Sequence, residues 1–400
     1  MRILLTTPIF PPDLGGPAVF VPSLGRWLVE QGHEVKVVAF CEDPNPTGYP
    51  FPVRAITRSS LPRRYLNSFF AILEEAKDVD VVYVQEHLSL LAVAAAKLRG
   101  KPCAVRVMVD GSWEIAHRYG WTNDDIDAFQ AKSYGWKVGL TRFFQRWWWR
   151  QVNAVVCVSD YLRGIVAGHG IDPEKLHLIQ NVYNGPAIFE TTREEARERL
   201  GLPADRKVVV TVCRLMIWKG VDGLIESIAR LPEDVCLVVV GDGDQLEPWT
   251  ALAQERGVSD RVTFVGNRPH DETLLWIRAA DIFTLNSRYE GLSHTLLEVM
   301  FLETPIICSS VCGNPELVAH EENGLLVPFN DVDALVGAVE RLLGDGELAR
   351  TYAERSKEKV KRFDRDRQFT RLENLLATLA RGEKAPRSDD DGGCEASDPG

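Results

Sequence analysis

Short runs of β-branched and other apolar residues alternate with longer amphipathic segments along almost the whole chain, and this rhythm constrains the fold more than any other feature. Strands that are apolar on both sides must be buried on both faces, which calls for parallel sheets covered by helices. The chain therefore reads as α/β. Strands are expected over 3–7, 34–40, 79–84, 104–109, 154–158 and 176–180, with helices over 18–31, 66–76, 88–98 and in a longer stretch ending near Arg150. After a helix over 191–200 the rhythm restarts, with strands over 207–213, 236–240, 262–265, 282–285 and 306–308.

A chain of 400 residues, at roughly 150 per domain, is long enough for two such units. The simplest reading is two Rossmann-like domains facing across a cleft at the carboxyl ends of their strands. Residues 1–185 form the first and 186–363 the second, an amphipathic helix over 364–381 returns to the first, and 382–400 forms an acidic tail expected to be disordered.

Composition narrows the class of ligand only a little. Lys and Arg number 46 against 57 Asp and Glu, a formal net charge of −11 that speaks against a nucleic-acid binder. Residues 382–400 hold six acids and two bases, so about four of those charges sit outside the expected fold. Of eight cysteines, Cys103, Cys157, Cys213, Cys236 and Cys308 lie in or at the end of apolar runs, as small buried hydrophobes of a reducing cytoplasm. No pair has the spacing of a zinc site, and no apolar run approaches the roughly 18 residues a membrane-spanning helix needs. Pro8 interrupts the N-terminal apolar run before an export signal could form.

Three segments carry candidate chemistry. The first expected strand runs into PIFPPDLGGP, where Gly15 and Gly16 let backbone approach a ligand and the next helix offers free N–H groups; a plain tight turn accounts for them equally well. In CRLMIWKG, Arg214 at a strand end and Lys219 before a helix bring a guanidinium fork and an ammonium to one crevice, a receptor for a diphosphate; the alternative is two solvated cations. In EGLSHTLLE, Glu290 precedes a helix that starts at Ser293, and Glu298 lies within it. At about 1.5 Å per residue their carboxylates are up to roughly 12 Å apart, too far for a paired acid and base across one bond. That spacing suits one long ligand held at both ends, with the helix N-terminus facing its anionic middle, although two exposed helix glutamates share the pattern.

In this order, FPPDLGGP, CRLMIWKG, VVVGDGDQ, VTFVG, EGLSHTLLE, TPIICSSVCGNPELV and NGLLV resemble the retaining glycosyltransferases of family 4, which have the GT-B fold and use nucleotide-activated sugars. The resemblance implies that Glu290 holds the donor sugar's hydroxyls, Glu298 the nucleotide ribose, and Arg214 with Lys219 the diphosphate. It also implies that Gly16 approaches that diphosphate, that Gly291, Leu292 and Ser293 supply donors, and that backbone near Gly266 and Asn267 meets the base. No metal or cofactor is expected, so the D-x-D of Asp242 and Asp244 reads as a turn. Many members carry histidines near the ends of the third and fourth N-terminal strands, where this chain has Gln85 and Asp110. A subgroup resembling RVMVDGSWE is the closer match and implies sugar-facing or acceptor-facing roles for Gln85, Asp110 and Glu114, with His87 as a further contributor. The function implied is transfer of a hexose, with retention, from a nucleoside diphosphate to a glycan, polysaccharide precursor or lipid-linked acceptor. A sugar-nucleotide epimerase, a sugar-phosphate synthase and a catalytically silent sugar-nucleotide binder are the alternatives.

Six of the ten tryptophans lie between positions 113 and 149, and residues 132–150 hold five bases and no acid. Trp147, Trp148 and Trp149 sweep about 200° of a helix, more than one buried face accommodates. The segment fits either a helix packed on the first sheet or a peripheral contact with the inner face of a membrane.

Overall fold

The computed structural model describes residues 1–13, 15–57, 59–85, 89–183 and 189–384. His87, the 185/186 boundary and the tail beyond position 384 lie outside the described residues. The chain divides into two compact units, Met1–Gln180 with Arg365 onwards, and Asn181–Asp364.

The first unit holds a seven-stranded, wholly parallel sheet. Its strands are β1 (Arg2–Thr7), β2 (Glu34–Phe40), β3 (Val53–Ile56), β4 (Val81–Gln85), β5 (Cys103–Val107), β6 (Ala154–Cys157) and β7 (Leu176–Leu178), in the order β3-β2-β1-β4-β5-β6-β7. Strand order reverses between β1 and β4, the switch point at which Rossmann-like sheets open a crevice beyond their carboxyl ends. The edge strand β3 is absent from the sequence reading because only Ile56 of its four residues is buried and it follows a Pro-rich loop. The long helical stretch expected before Arg150 is three helices, Gly111–Arg118, Ile126–Ala131 and Trp136–Gln151.

The helix Arg365–Ala380 belongs to this first unit. It buries Phe369, Leu372, Leu375, Leu376 and Leu379. Phe369 meets Phe20 and Trp27 edge-on, the Trp27 indole donates to Asp366 at 3.1 Å, and His33 pairs with Glu373 at 2.7 Å. A 16-residue helix joined only through its own sequence neighbours would be marginal, so this packing is what keeps it folded.

The second unit has six parallel strands: β8 (Lys207–Val212), β9 (Val235–Val240), β10 (Val262–Gly266), β11 (Ile282–Leu285), β12 (Ile306–Ser309) and β13 (Leu325–Val327). They are ordered β10-β9-β8-β11-β12-β13, with the switch point between β8 and β11. The three-residue edge strand β13 is too short to carry a periodic signal. The helix Arg193–Leu200 opens on a capping box of Thr192 and Glu195 and stops at Gly201 in the left-handed conformation. Leu224, Ile225, Leu237, Val239, Trp249 and Leu335 lie in one buried core within this unit.

Candidate functional site

Both switch points carry residues singled out from the sequence. In the second unit, β8 leads into Arg214 and a short 3₁₀ turn, Ile217–Lys219, before the helix Val221–Ile228; β11 leads into the loop that ends at Ser293, the N-cap of the helix His294–Phe301. Residues 71 positions apart thereby meet. Lys219 Nζ donates to Glu290 Oε1 at 2.6 Å, and both side chains are more than four-fifths buried. Arg214 is exposed in the same β8 loop, and its carbonyl accepts from Met216 N.

The two loops are tied together by backbone. Arg288 N donates to Trp218 O at 2.7 Å. Asn286 Nδ2 donates to Gly220 O at 2.7 Å and to Asn330 Oδ1 at 2.8 Å, Asn330 N returns a bond to Asn286 Oδ1, and Asn330 Nδ2 reaches Asp222. Gly220 has φ +61°, and a Cβ there would stand 2.1 Å from the Asn286 carbonyl oxygen, so only glycine lets the turn carrying Lys219 lie against the β11 loop. This asparagine brace matches no short motif and is invisible from the sequence.

Glu290 and Glu298 are held by different partners. The Glu290 carbonyl accepts from Gly313 N, and a Cβ on Gly313 would come within 2.0 Å of the Gly291 carbonyl, which fixes the loop between the glutamates. Gly291, Leu292 and Ser293 are buried; Leu292 O accepts from Asn181 Nδ2, and Ser293 Oγ accepts from Leu296 N as a helix cap. Ser293 Oγ thus serves the cap as an acceptor, while the first amides of the helix have no acceptor within it. Glu298 accepts from His270 Nε2 at 2.8 Å, and that bond holds the imidazole above its ordinary pKa despite partial burial. His270, the first residue of the helix His270–Ala279, was not singled out from the sequence, since a lone histidine after a loop carries no signal. Nearby, Tyr183 stacks on Phe301 at 4.1 Å; burial and the Glu298 charge push its phenol up.

Gly266 ends β10 with φ +71°, and its carbonyl accepts from Gly241 N, with Asn267 exposed just beyond. In the D-x-D segment, Asp242 Oδ1 accepts from Gly243 N at 2.7 Å and Asp242 O from Leu215 N, a turn pinned to the β8 loop. Among the described residues, no three His, Cys, Asp or Glu side chains cluster as a metal site requires.

In the first unit, Gly15 accepts the first bond of the helix Gly16–Glu30, immediately beyond the β1 turn. Gln85 is the last residue of β4, fully buried, and its Oε1 has no hydrogen-bond partner among the described residues. Glu114 lies half-buried in the first turn of Gly111–Arg118.

Asp110 is fully buried and caps Gly111–Arg118. Its Oδ1 accepts from Ser112 N (2.9 Å), Trp113 N (3.1 Å) and Gln145 Nε2 (3.1 Å), and its Oδ2 from Gln130 Nε2 (2.5 Å). His169 Nδ1 accepts from Arg146 Nε at 2.9 Å, which leaves its proton on Nε2, 3.7 Å from Asp110 Oδ2. Burial alone would raise the Asp110 pKa; His169 and the amide donors outweigh it and hold the carboxyl below the usual carboxylate range. The sequence fragment VDGS fits such an N-cap as well as it fits a ligand-facing acid.

Two family descriptions match the chain, one to each unit. "Glycosyl transferase 4-like domain" covers residues 15–182 and "Glycosyl transferases group 1" covers residues 192–359. A GDP-mannose-dependent alpha-(1-6)-phosphatidylinositol monomannoside mannosyltransferase of Mycobacterium tuberculosis is 29% identical, over 96% of this chain and all of the relative. A lipopolysaccharide core biosynthesis glycosyltransferase of Rhizobium meliloti is 35% identical, over 58% of this chain and 66% of its own. Among solved structures, sucrose-phosphate synthase of Thermosynechococcus elongatus superposes with a TM-score of 0.78 at 22% identity, covering 96% of this chain and all of that one. An Anabaena protein solved with UDP and glucose gives 0.76 at 19%, covering 94% of this chain and all of that one. At those identities the structures speak for the fold, two Rossmann-like domains of the GT-B kind. With both halves matched in order, the chain belongs to the family 4 type of group 1 glycosyl transferases and is a glycosyltransferase.

Proposed function

We propose that the enzyme moves a hexosyl group, with retention, from a nucleoside diphosphate to a glycan, polysaccharide precursor or lipid-linked acceptor, and that the donor is held in the second unit. The observation that carries this reading is the Lys219–Glu290 pair at the β8/β11 switch point, with Arg214 exposed in the β8 loop that carries Lys219. In the free protein the two charges compensate each other, so neither is stranded in a largely buried place. An arriving diphosphate competes for the ammonium, and the Glu290 oxygens then accept from sugar hydroxyls. Glu298, in the second turn of the helix that follows this loop, takes the ribose. Gly291, Leu292 and the helix start at Ser293 offer amides to the phosphates, and backbone at Gly266 and Asn267 meets the base.

As the bond from the anomeric carbon to the phosphate oxygen breaks, negative charge grows on the diphosphate, and the ring becomes oxocarbenium-like. Fixed cations and amides that stabilise that charge more in the transition state than in the ground state raise turnover. These side chains suffice for that role, and we assign no metal to it. The leaving phosphate takes the acceptor hydroxyl's proton on the face it departs from, which gives retention without a protein base. Gln85, with its buried amide oxygen, and Glu114 are assigned to the acceptor in the first unit. We place the reaction in the cytoplasm, and at the inner membrane face for a lipid-linked acceptor, with contact through residues 132–150.

One relative is named for GDP-mannose and one structural neighbour holds UDP, so the test uses GDP-, UDP- and ADP-hexoses. At least one donor is expected to release nucleoside diphosphate, even to water, at a rate unchanged by excess EDTA, and proton NMR of the nascent product is expected to show the donor's anomeric configuration. Abolition by EDTA would overturn the metal-free assignment. An inverted product would overturn front-face transfer.

A further inference from the structure

We infer that three neighbouring helices of the first unit form one docking surface for an anionic lipid bilayer, of which residues 132–150 are only a part. The inference rests on the reading that the acceptor is met at a membrane, and it gives that contact its partner and its geometry.

The helix Trp136–Gln151 has a buried stripe and, opposite it, an exposed apolar one. Val138, Gln145 and Trp149 are buried; at 100° per residue they point within about 40° of one another. Trp136, Leu140, Phe143 and Trp147, at spacings of four, three and four, point in about the opposite direction, and all are exposed, Trp136 at 76% and Phe143 at 61%. A helix that only filled space between a sheet and a neighbour would carry polar residues on that outer stripe. Its exposed flanks carry Lys137, Arg146 and Arg150, and it has no acidic residue.

This helix packs beside Ser89–Leu98, which packs beside Leu61–Glu75. Each buries one side, as with Ala71 and Ile72 or Ala92, Val93 and Ala96, and leaves apolar residues outside. On Leu61–Glu75 these are Leu66 and Phe70, exposed by more than half and within about 40° of one another, while Leu61 is exposed at the helix start on the opposite side; on Ser89–Leu98 they are Leu90 and Leu98. The helices follow β3 and β4 or lead into β6, so in a parallel sheet all three run against the strands. Their first residues, Leu61 and Trp136 among them, therefore lie toward the strand carboxyl ends, the end at which Gln85 stands. Exposed Arg63 and Lys97 add positive charge. Of the acids, Glu74 and Glu75 sit in the last turn of their helix and are paired with Lys77, and with Lys36 and Arg54.

Aromatic and aliphatic side chains flanked by bases, on a chain whose net charge is −11, are the composition of an interfacial helix face. Among the described residues no helix is long and apolar enough to cross a membrane, so this is contact in the plane of the headgroups.

The test is flotation of the full chain with phosphatidylcholine vesicles, with and without phosphatidylglycerol. Wild type is expected to float with the anionic vesicles and to be released by salt. Phe143→Ser with Trp147→Ser, and separately Leu66→Ser with Phe70→Ser, are each expected to weaken binding at least tenfold, while far-ultraviolet circular dichroism and donor hydrolysis in solution stay unchanged. Failure of wild type to float overturns the inference. So does wild-type binding by the Leu66/Phe70 variant, which would end the shared surface, or conversion of a wild-type dimer to a monomer by either variant, which would make the face a protein interface. Donor hydrolysis keeps the two readings apart: hydrolysis without flotation overturns only the surface, and flotation without hydrolysis counts against the enzymatic reading.

Discussion

Replacing Lys219 by alanine is expected to lower turnover by about a hundredfold or more, the scale of losing one preorganised group that stabilises transition-state charge. The loss should fall mainly on kcat, because charge on the leaving diphosphate is largest as the glycosidic bond breaks. A second cause has to be separated from this one. Lys219 is also the partner of a Glu290 carboxylate only 13% exposed, and a stranded carboxylate would itself disturb the loop. Lys219→Ala combined with Glu290→Gln removes that stranded charge. If lost charge stabilisation is the cause, the double variant stays slow. If disruption of the pair is the cause, the double variant regains much of the rate. Steady-state turnover of both variants with the preferred donor decides, and near-normal turnover by Lys219→Ala would remove Lys219 from the chemistry.

Asp110→Ala is expected to act on stability. Four donors converge on the carboxylate, two of them amides of the first turn of Gly111–Arg118. A buried donor left unsatisfied costs about 1–3 kcal/mol, and partial rearrangement is expected to spare some of them, so the first unit should lose about 3 kcal/mol or more. Asp110→Asn keeps an oxygen for the cap and should lose less. The sign of the pH dependence follows from the depressed pKa. The carboxylate's contribution is fully present above the unfolded value near 3.9 and fades as the pH falls through the lower folded value. The gap between wild type and Asp110→Ala should therefore hold across neutral pH and narrow only in strong acid. Urea unfolding followed by tryptophan fluorescence measures it, since Trp113 and Trp149 lie close to this network. A variant as stable as wild type but inactive would return Asp110 to the substrate.

The alternation of apolar runs made the fold legible, because strands buried on both faces leave a signature that survives without tertiary information. It failed at β3 and β13, edge strands of four and three residues whose pairing is decided by the neighbouring strand. Within the site, Arg214, Lys219, Glu290 and Glu298 were visible because strand ends and a helix start are marked locally. What holds them was not. The Lys219–Glu290 contact spans 71 positions, and the Asn286, Asn330 and Asp222 brace and the His270 partner of Glu298 come from four separate loops or helices. Asp110 shows the converse ambiguity, because an acid at a strand end serves equally as a helix cap, the place it takes here. The run Trp147, Trp148 and Trp149 divides as its angular sweep required, with Trp149 buried against His169 and Trp147 exposed.

The central claim is that one donor is gripped at both ends, its diphosphate by Lys219 and Arg214 and its ribose by Glu298. Titration calorimetry of the matching nucleoside diphosphate and of inorganic pyrophosphate into wild type, Lys219→Ala and Glu298→Ala tests it most directly. The predicted result is that Lys219→Ala weakens both ligands at least tenfold, whereas Glu298→Ala weakens the nucleotide by a similar factor and leaves pyrophosphate unchanged. Wild-type affinity for the nucleotide in either variant would contradict it.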